Sequence, residues 1–79
     1  MEVQIIATKD CSHRAKLERL LMYTDTEYEM LFAEDHLEMT KKHSIRNSPN
    51  LLIDGEVVFR AKPGKPLPSS EELEEMLLD

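Results

Sequence analysis

The chain lacks tryptophan, carries a single cysteine, and has only two tyrosines and two phenylalanines. With so few large rings, the core has to be built from Leu, Ile, Val and Met. One cysteine excludes an intramolecular disulfide, so bridges do not hold the fold together. No apolar stretch approaches the roughly 18 to 20 residues of a membrane span, so none is expected. The start, Met1-Glu2-Val3-Gln4, lacks a basic segment followed by an apolar run. No secretory signal is expected from it, and the cytoplasm is the expected compartment. Basic charge is scarce too: ten Lys/Arg stand against sixteen Asp/Glu, a formal net charge of −6. Nucleic-acid affinity rests on neutralising phosphates with Lys and Arg, and the longest basic run, Lys41-Lys42-His43, is too short to reverse the balance. Nucleic acid is therefore not an expected partner. Internal repeats and low-complexity tracts are absent.

What is present fits one domain spanning residues 1–79, of which 41% are hydrophobic. A chain of this size has a net stability on the order of 5 kcal/mol. Val3 to Ala7 reads as a short strand with Ile5 and Ile6 on opposite faces, which suits a sheet covered by helices on both sides. Asp10 or Ser12 is expected to cap the helix that follows. That helix carries Ala15, Leu17, Leu20, Leu21 and Met22 near helical spacing, and Thr24-Asp25-Thr26 breaks it. Glu27 to Ala33 alternates as a strand. Asp35 with Glu38 resembles a capping box opening a short helix over 36–43, with Leu37 and Met39 or Thr40 as its buried side. After the break Arg46-Asn47-Ser48-Pro49-Asn50, Leu51-Leu52-Ile53 reads as a buried strand. Asp54-Gly55 is a two-residue hairpin signal that returns the chain through Val57-Val58-Phe59. The segment from Lys62 to Pro68 holds three prolines and is expected to be irregular. Ser69 with Glu72 forms a second capping box, and Leu73, Met76 and Leu77 stripe the closing helix.

The stretch Thr8-Lys9-Asp10-Cys11-Ser12-His13-Arg14 carries the chemistry. It lies where the first strand gives way to the first helix. A thiol at a helix N-terminus sits beside unpaired N–H groups and the positive end of the helix dipole, both of which favour the thiolate. Lys9, His13 and Arg14 add positive charge nearby and Asp10 opposes them. His13 is also a candidate proton donor to a leaving thiol. Cys11, His13, His36 and His43 do not have zinc spacing, so no metal site is expected.

The order β-α-β-α-β-β-α, with Cys11 in the first strand-to-helix loop, Ser48-Pro49 directly before the third strand and Asp54-Gly55 between the last two, resembles the thioredoxin-fold superfamily. The likeness extends over the whole chain and is greatest to its small thioredoxin-like and glutaredoxin-like members. It implies an α/β, thioredoxin-like fold: a four-stranded mixed sheet with helices on both faces. It further implies that Cys11 is the nucleophile, that the Ser48–Pro49 bond is cis, and that the Ser48 backbone pairs with an extended substrate. His13 and Arg14 would tune the charge around the thiol.

The family motif is Cys-x-x-Cys, and here Arg14 stands in the place of the resolving cysteine. A mixed disulfide on Cys11 would then be resolved by an outside thiol, as in the monothiol branch. The segment that holds glutathione in glutaredoxins is replaced by Pro63-Gly64-Lys65-Pro66. The expected activity is monothiol thiol–disulfide exchange by a monomer without a cofactor, its partner a protein or a low-molecular-weight thiol or disulfide. The alternative is a redox-inactive module that binds a protein or peptide in the Cys11/Pro49 groove. A cluster-bridged dimer through Cys11 is the third reading.

Overall fold

Backbone pairing in the computed structural model, which describes residues 1–78, puts β1 (Val3–Ala7) at the centre of the molecule. It runs parallel to β2 (Glu29–Phe32) on one side and antiparallel to β3 (Asn50–Ile53) on the other. β4 (Glu56–Arg60) closes the sheet antiparallel to β3, giving the order β2-β1-β3-β4. The parallel β1–β2 pair needs a crossover, and α1 (Ser12–Tyr23) supplies it. A short 3-10 turn (Ala33–Asp35) and α2 (Leu37–Lys42) connect β2 to β3, and α3 (Ser70–Leu77) ends the chain.

Alternation along the strands decides which helix lies on which face. Val3, Ile5, Ala7, Leu51, Ile53 and Phe59 pack on one side with Leu17 and Leu21 of α1 and Leu73 of α3. Ile6, Leu31 and Leu52 form the opposite cluster, covered by Met39 of α2 and by Ile45. Ile5 and Ile6 are both fully buried, on opposite faces as the sequence suggests. Each fully buried aliphatic side chain contributes about 1.5–3 kcal/mol. Truncating Leu17, at the α1 seam, to Ala would cost about 2–5 kcal/mol, comparable to the whole net stability.

The hairpin forms at Asp54 (φ 52) and Gly55 (φ 81), the positive-φ pair a two-residue turn requires. Asp54 also ties down the N-terminus: its Oδ1 accepts from the Glu2 N–H at 2.7 Å, and its own N–H donates to the Glu2 carbonyl at 2.8 Å. Beyond the turn the register slips between Leu51 and Leu52, so Val58 lies outside the regular pairing. The capping box of α3 is present as read, with Ser69 Oγ accepting from Glu72 N–H and Glu72 accepting from Ser69 N–H.

Other local expectations are corrected. Neither Asp10 nor Ser12 caps α1. A turn closed by Cys11 N–H on the Thr8 carbonyl at 3.2 Å holds Lys9 and Asp10, so the extended N-cap residue is Cys11 itself. The Asp35/Glu38 capping box does not form. Ala33–Asp35 curl into the 3-10 turn, Asp35 turns to Lys9 Nζ at 3.4 Å, and His36 becomes the N-cap of α2 without a side-chain bond. Leu37, expected on the buried side, is 68% exposed, and Met39 packs inward instead. Ala15 and Met22 also face outward, leaving Leu17, Leu20 and Leu21 as the working stripe of α1.

Candidate functional site

The ends of β1 and β3 nearest α1 bring the Thr8–Cys11 loop beside Ser48 and Pro49, while Arg14 is engaged elsewhere. Cys11 is the N-cap of α1, with φ −77 and ψ 115, and its side chain makes no capping hydrogen bond. The first-turn N–H groups of the helix thus have no side-chain acceptor from the N-cap position, and Cys11 itself is half-buried at that helix end. Thr8 links this loop to the second half of the site. Its carbonyl accepts from Cys11 N–H at 3.2 Å, and its N–H donates to Ser48 Oγ at 3.0 Å. The Ser48–Pro49 bond is cis, as expected, and Pro49 is fully buried. Among the described residues, the Ser48 backbone N–H and C=O take no hydrogen bond.

A residue that sequence reasoning missed fixes this segment. Asn50 is fully buried and its amide donates to the Ile6 carbonyl at 3.3 Å and the Asn47 carbonyl at 2.6 Å. Its own carbonyl accepts from Ala61 N–H at 3.2 Å. One side chain therefore joins the end of β1, the loop before Pro49 and the chain leaving β4. The only hint in the sequence was a polar residue next to a buried apolar run, which does not by itself distinguish a turn residue from a clamp.

His13, Ser48 and Pro49 line one cleft of about 270 Å³, whose far wall is the segment from Ala61 to Leu67. Ser48 also borders a second depression of about 370 Å³, between Thr8, Ala33, Thr40 and Arg46. Asn47 and Ser48 together form the ridge between the two. Cys11 and Arg14 line neither. Cys11 reaches the ridge through Thr8, while Arg14 turns to the other flank of α1.

There Arg14 Nη1 meets Glu18 Oε2 at 2.9 Å and its guanidinium carbon lies 5.3 Å from the centre of the Phe32 ring. The second oxygen of Glu18 accepts from the Tyr28 hydroxyl at 2.8 Å. Burial, and then the hydrogen bond and negative charge of Glu18, push the Tyr28 phenol above its ordinary value, partly opposed by Arg14. Arg14 Nε is buried with no partner among the described residues. Lys9 is held in a similar way, by Asp35 and by the Phe32 ring at 5.8 Å from its centre. Of the basic residues expected to tune the thiol, Lys9 and Arg14 are each paired with an acid, and His13 has no ion-pair partner among the described residues. No group of three or more His, Cys, Asp or Glu is placed to hold a metal ion among the described residues. No helix among them is long and apolar enough to cross a membrane.

No protein-family model and no curated protein matches the chain. A solved structure does: the crystal structure of a mutant of the thioredoxin-like protein BC3987, 21% identical to this chain. The match covers 96% of this chain and 99% of that one, with a TM-score of 0.69. The shared feature is the fold, and the architecture here is thioredoxin-like: a mixed four-stranded sheet in the order β2-β1-β3-β4 with helices on both faces.

Proposed function

Starting from the thioredoxin-like fold, we propose that the chain carries out thiol–disulfide exchange of the monothiol type through Cys11. One observation supports this above the others: a half-buried thiol with no hydrogen-bonding duty occupies the N-cap of α1, joined through Thr8 to the unpaired backbone of Ser48. The Cys11 thiolate attacks one sulfur of a disulfide RS–SR′. The S–S bond breaks, a Cys11–SR bond forms, and R′S⁻ leaves with the electron pair and takes a proton. A second thiol then attacks the mixed disulfide, returning Cys11 as thiolate. The cycle consumes no outside oxidant, because each bond broken is replaced by one formed. Ser48 aligns an extended substrate by offering its N–H and C=O, as in strand addition. In this reading His13, exposed at the cleft wall, is the proton donor to the departing thiolate.

A second reading has an observation of its own. Arg14, where a resolving thiol would stand, is held by Glu18 and Phe32, so that position serves packing. On that reading the same groove binds a protein or peptide without chemistry. Intact mass after incubation with hydroxyethyl disulfide at neutral pH separates the two. A thiol-reversible adduct, absent from Cys11→Ser, supports exchange, and an unmodified wild-type mass supports the binding module.

A further inference from the structure

The cleft beside Ser48–Pro49 has an electrostatic character opposite to that of the chain. The protein carries a net charge of −6, yet the ionisable groups in this wall are His13, Lys62 and Lys65, with no carboxylate among them. The lysines stand on a preformed support. Lys65 N–H donates to the Lys62 carbonyl at 3.0 Å, and Gly64 has φ +77. Pro63 and Gly64 thus occupy the two central positions of a turn in which proline presets φ and glycine accepts the positive φ.

Lys65 Nζ lies 4.9 Å from the centre of the ring of Phe59, a core residue that lines the cleft, which steadies the charged end beside that wall. Neither lysine belongs to an ion pair among the described residues. Lys65 also borders the neighbouring depression, where Glu72 stands; the hydrogen bonds to Ser69 hold the Glu72 carboxyl below its ordinary value and commit it to Ser69 N–H at 3.0 Å, outside this cleft. The cleft, of about 270 Å³, has room for a short charged group.

Resting on the exchange reading of Cys11, we propose that the substrate is a small disulfide carrying a carboxylate close to its sulfur. Lys62 and Lys65 are the specificity-determining residues that hold that carboxylate beside Ser48 while the sulfur exchanges with Cys11. One S–S bond breaks and one forms, and the carboxylate-bearing thiolate leaves with the electron pair. Two unpaired cations in a solvated wall select for charge by modest factors and remain sensitive to salt.

The test compares rates of adduct formation, by intact mass, for dithiodipropionate (anionic), hydroxyethyl disulfide (neutral) and cystamine (cationic). Each rate is divided by that of the same reagent with a free small thiol. Wild type should favour the anionic over the neutral reagent by about three- to tenfold, and disfavour the cationic one. That preference should collapse in the Lys62→Gln/Lys65→Gln double variant and in about 1 M salt. The same anionic-to-neutral ratio in wild type and double variant overturns the proposal while leaving exchange at Cys11 standing. If neither the neutral nor the anionic disulfide gives an adduct with wild type, the exchange reading and the specificity fall together.

Discussion

Replacing Asn50 by Ala removes the clamp that joins the two banks of the cleft, and the cost follows from its bonds. The Ile6 carbonyl, the Asn47 carbonyl and the Ala61 N–H each lose a partner. Asn47 is exposed and its carbonyl regains water, whereas the Ile6 carbonyl belongs to the buried central strand. Each lost bond costs about 0.5–1.5 kcal/mol, and the vacated space adds to it, so the loss is about 2–4 kcal/mol. Against a net stability on the order of 5 kcal/mol, that removes about half or more of it. With a urea dependence of about 1 kcal/mol per M, the midpoint should fall by roughly 2 M or more. Urea unfolding followed by far-UV circular dichroism measures this without needing tryptophan. Asn50→Asp is the sharper variant. It keeps an acceptor for Ala61 N–H but sets a carboxylate oxygen against two carbonyl oxygens, so at neutral pH it should be at least as damaging. A loss below about 1 kcal/mol in Asn50→Ala, or an Asn50→Asp as stable as wild type, would refute the clamp.

Further expectations concern the helix ends and the flank of α1. Arg14→Cys places a second thiol three residues after the N-cap, so reaction with a small disulfide should end in an internal disulfide; intact mass then shows loss of two hydrogens and no retained adduct, and a persistent adduct contradicts the placement. Tyr28 titrates above its ordinary value because of burial and Glu18. Its folded pKa exceeds the unfolded one, so its contribution is fully present below about pH 10 and is lost as pH rises through the folded value. Urea midpoints should therefore fall less steeply above that pH in Tyr28→Phe than in wild type, and equal slopes would contradict the bond to Glu18. Ser69→Ala removes the N-cap of α3 and should cost about 1 kcal/mol, read as a lower midpoint with little change in denaturant slope.

Features with local causes were legible in the sequence, and features made by distant partners were not. Ser69 and Glu72 satisfy each other within one turn, and Asp54-Gly55 needs only its own backbone angles, so both stood as read. Asp35 and Glu38 display the same letters as a capping box, but Lys9, brought alongside by the parallel β1–β2 pairing, draws Asp35 away. Asp35 also closes the 3-10 turn Ala33–Asp35, so it does not stand at the N-cap of α2, where His36 is. Leu37 fits a helical stripe on paper. With α2 reduced to Leu37–Lys42, the contact to the sheet falls to Met39. In the candidate site, the positions of Cys11 at the start of α1 and of Ser48–Pro49 before β3 were legible because the order of elements sets them relative to the strand ends. The pairing of Arg14 with Glu18 was local enough to have been read, being four residues apart on a helix. The three-way bonding of Asn50 was not, because its partners are separated from it by 44, 3 and 11 positions and are all backbone groups.

On the proposed reading, the fold, and not merely the presence of a thiol, makes Cys11 an exchange site. The direct measurement is the second-order rate constant of Cys11 with hydroxyethyl disulfide at neutral pH, compared with that of a peptide spanning Thr8 to Arg14. Both share the local sequence and its charges, but only the protein has the helix terminus and the Ser48 ridge. The folded chain should react faster by roughly tenfold or more. A folded chain that reacts no faster than the peptide would contradict the account.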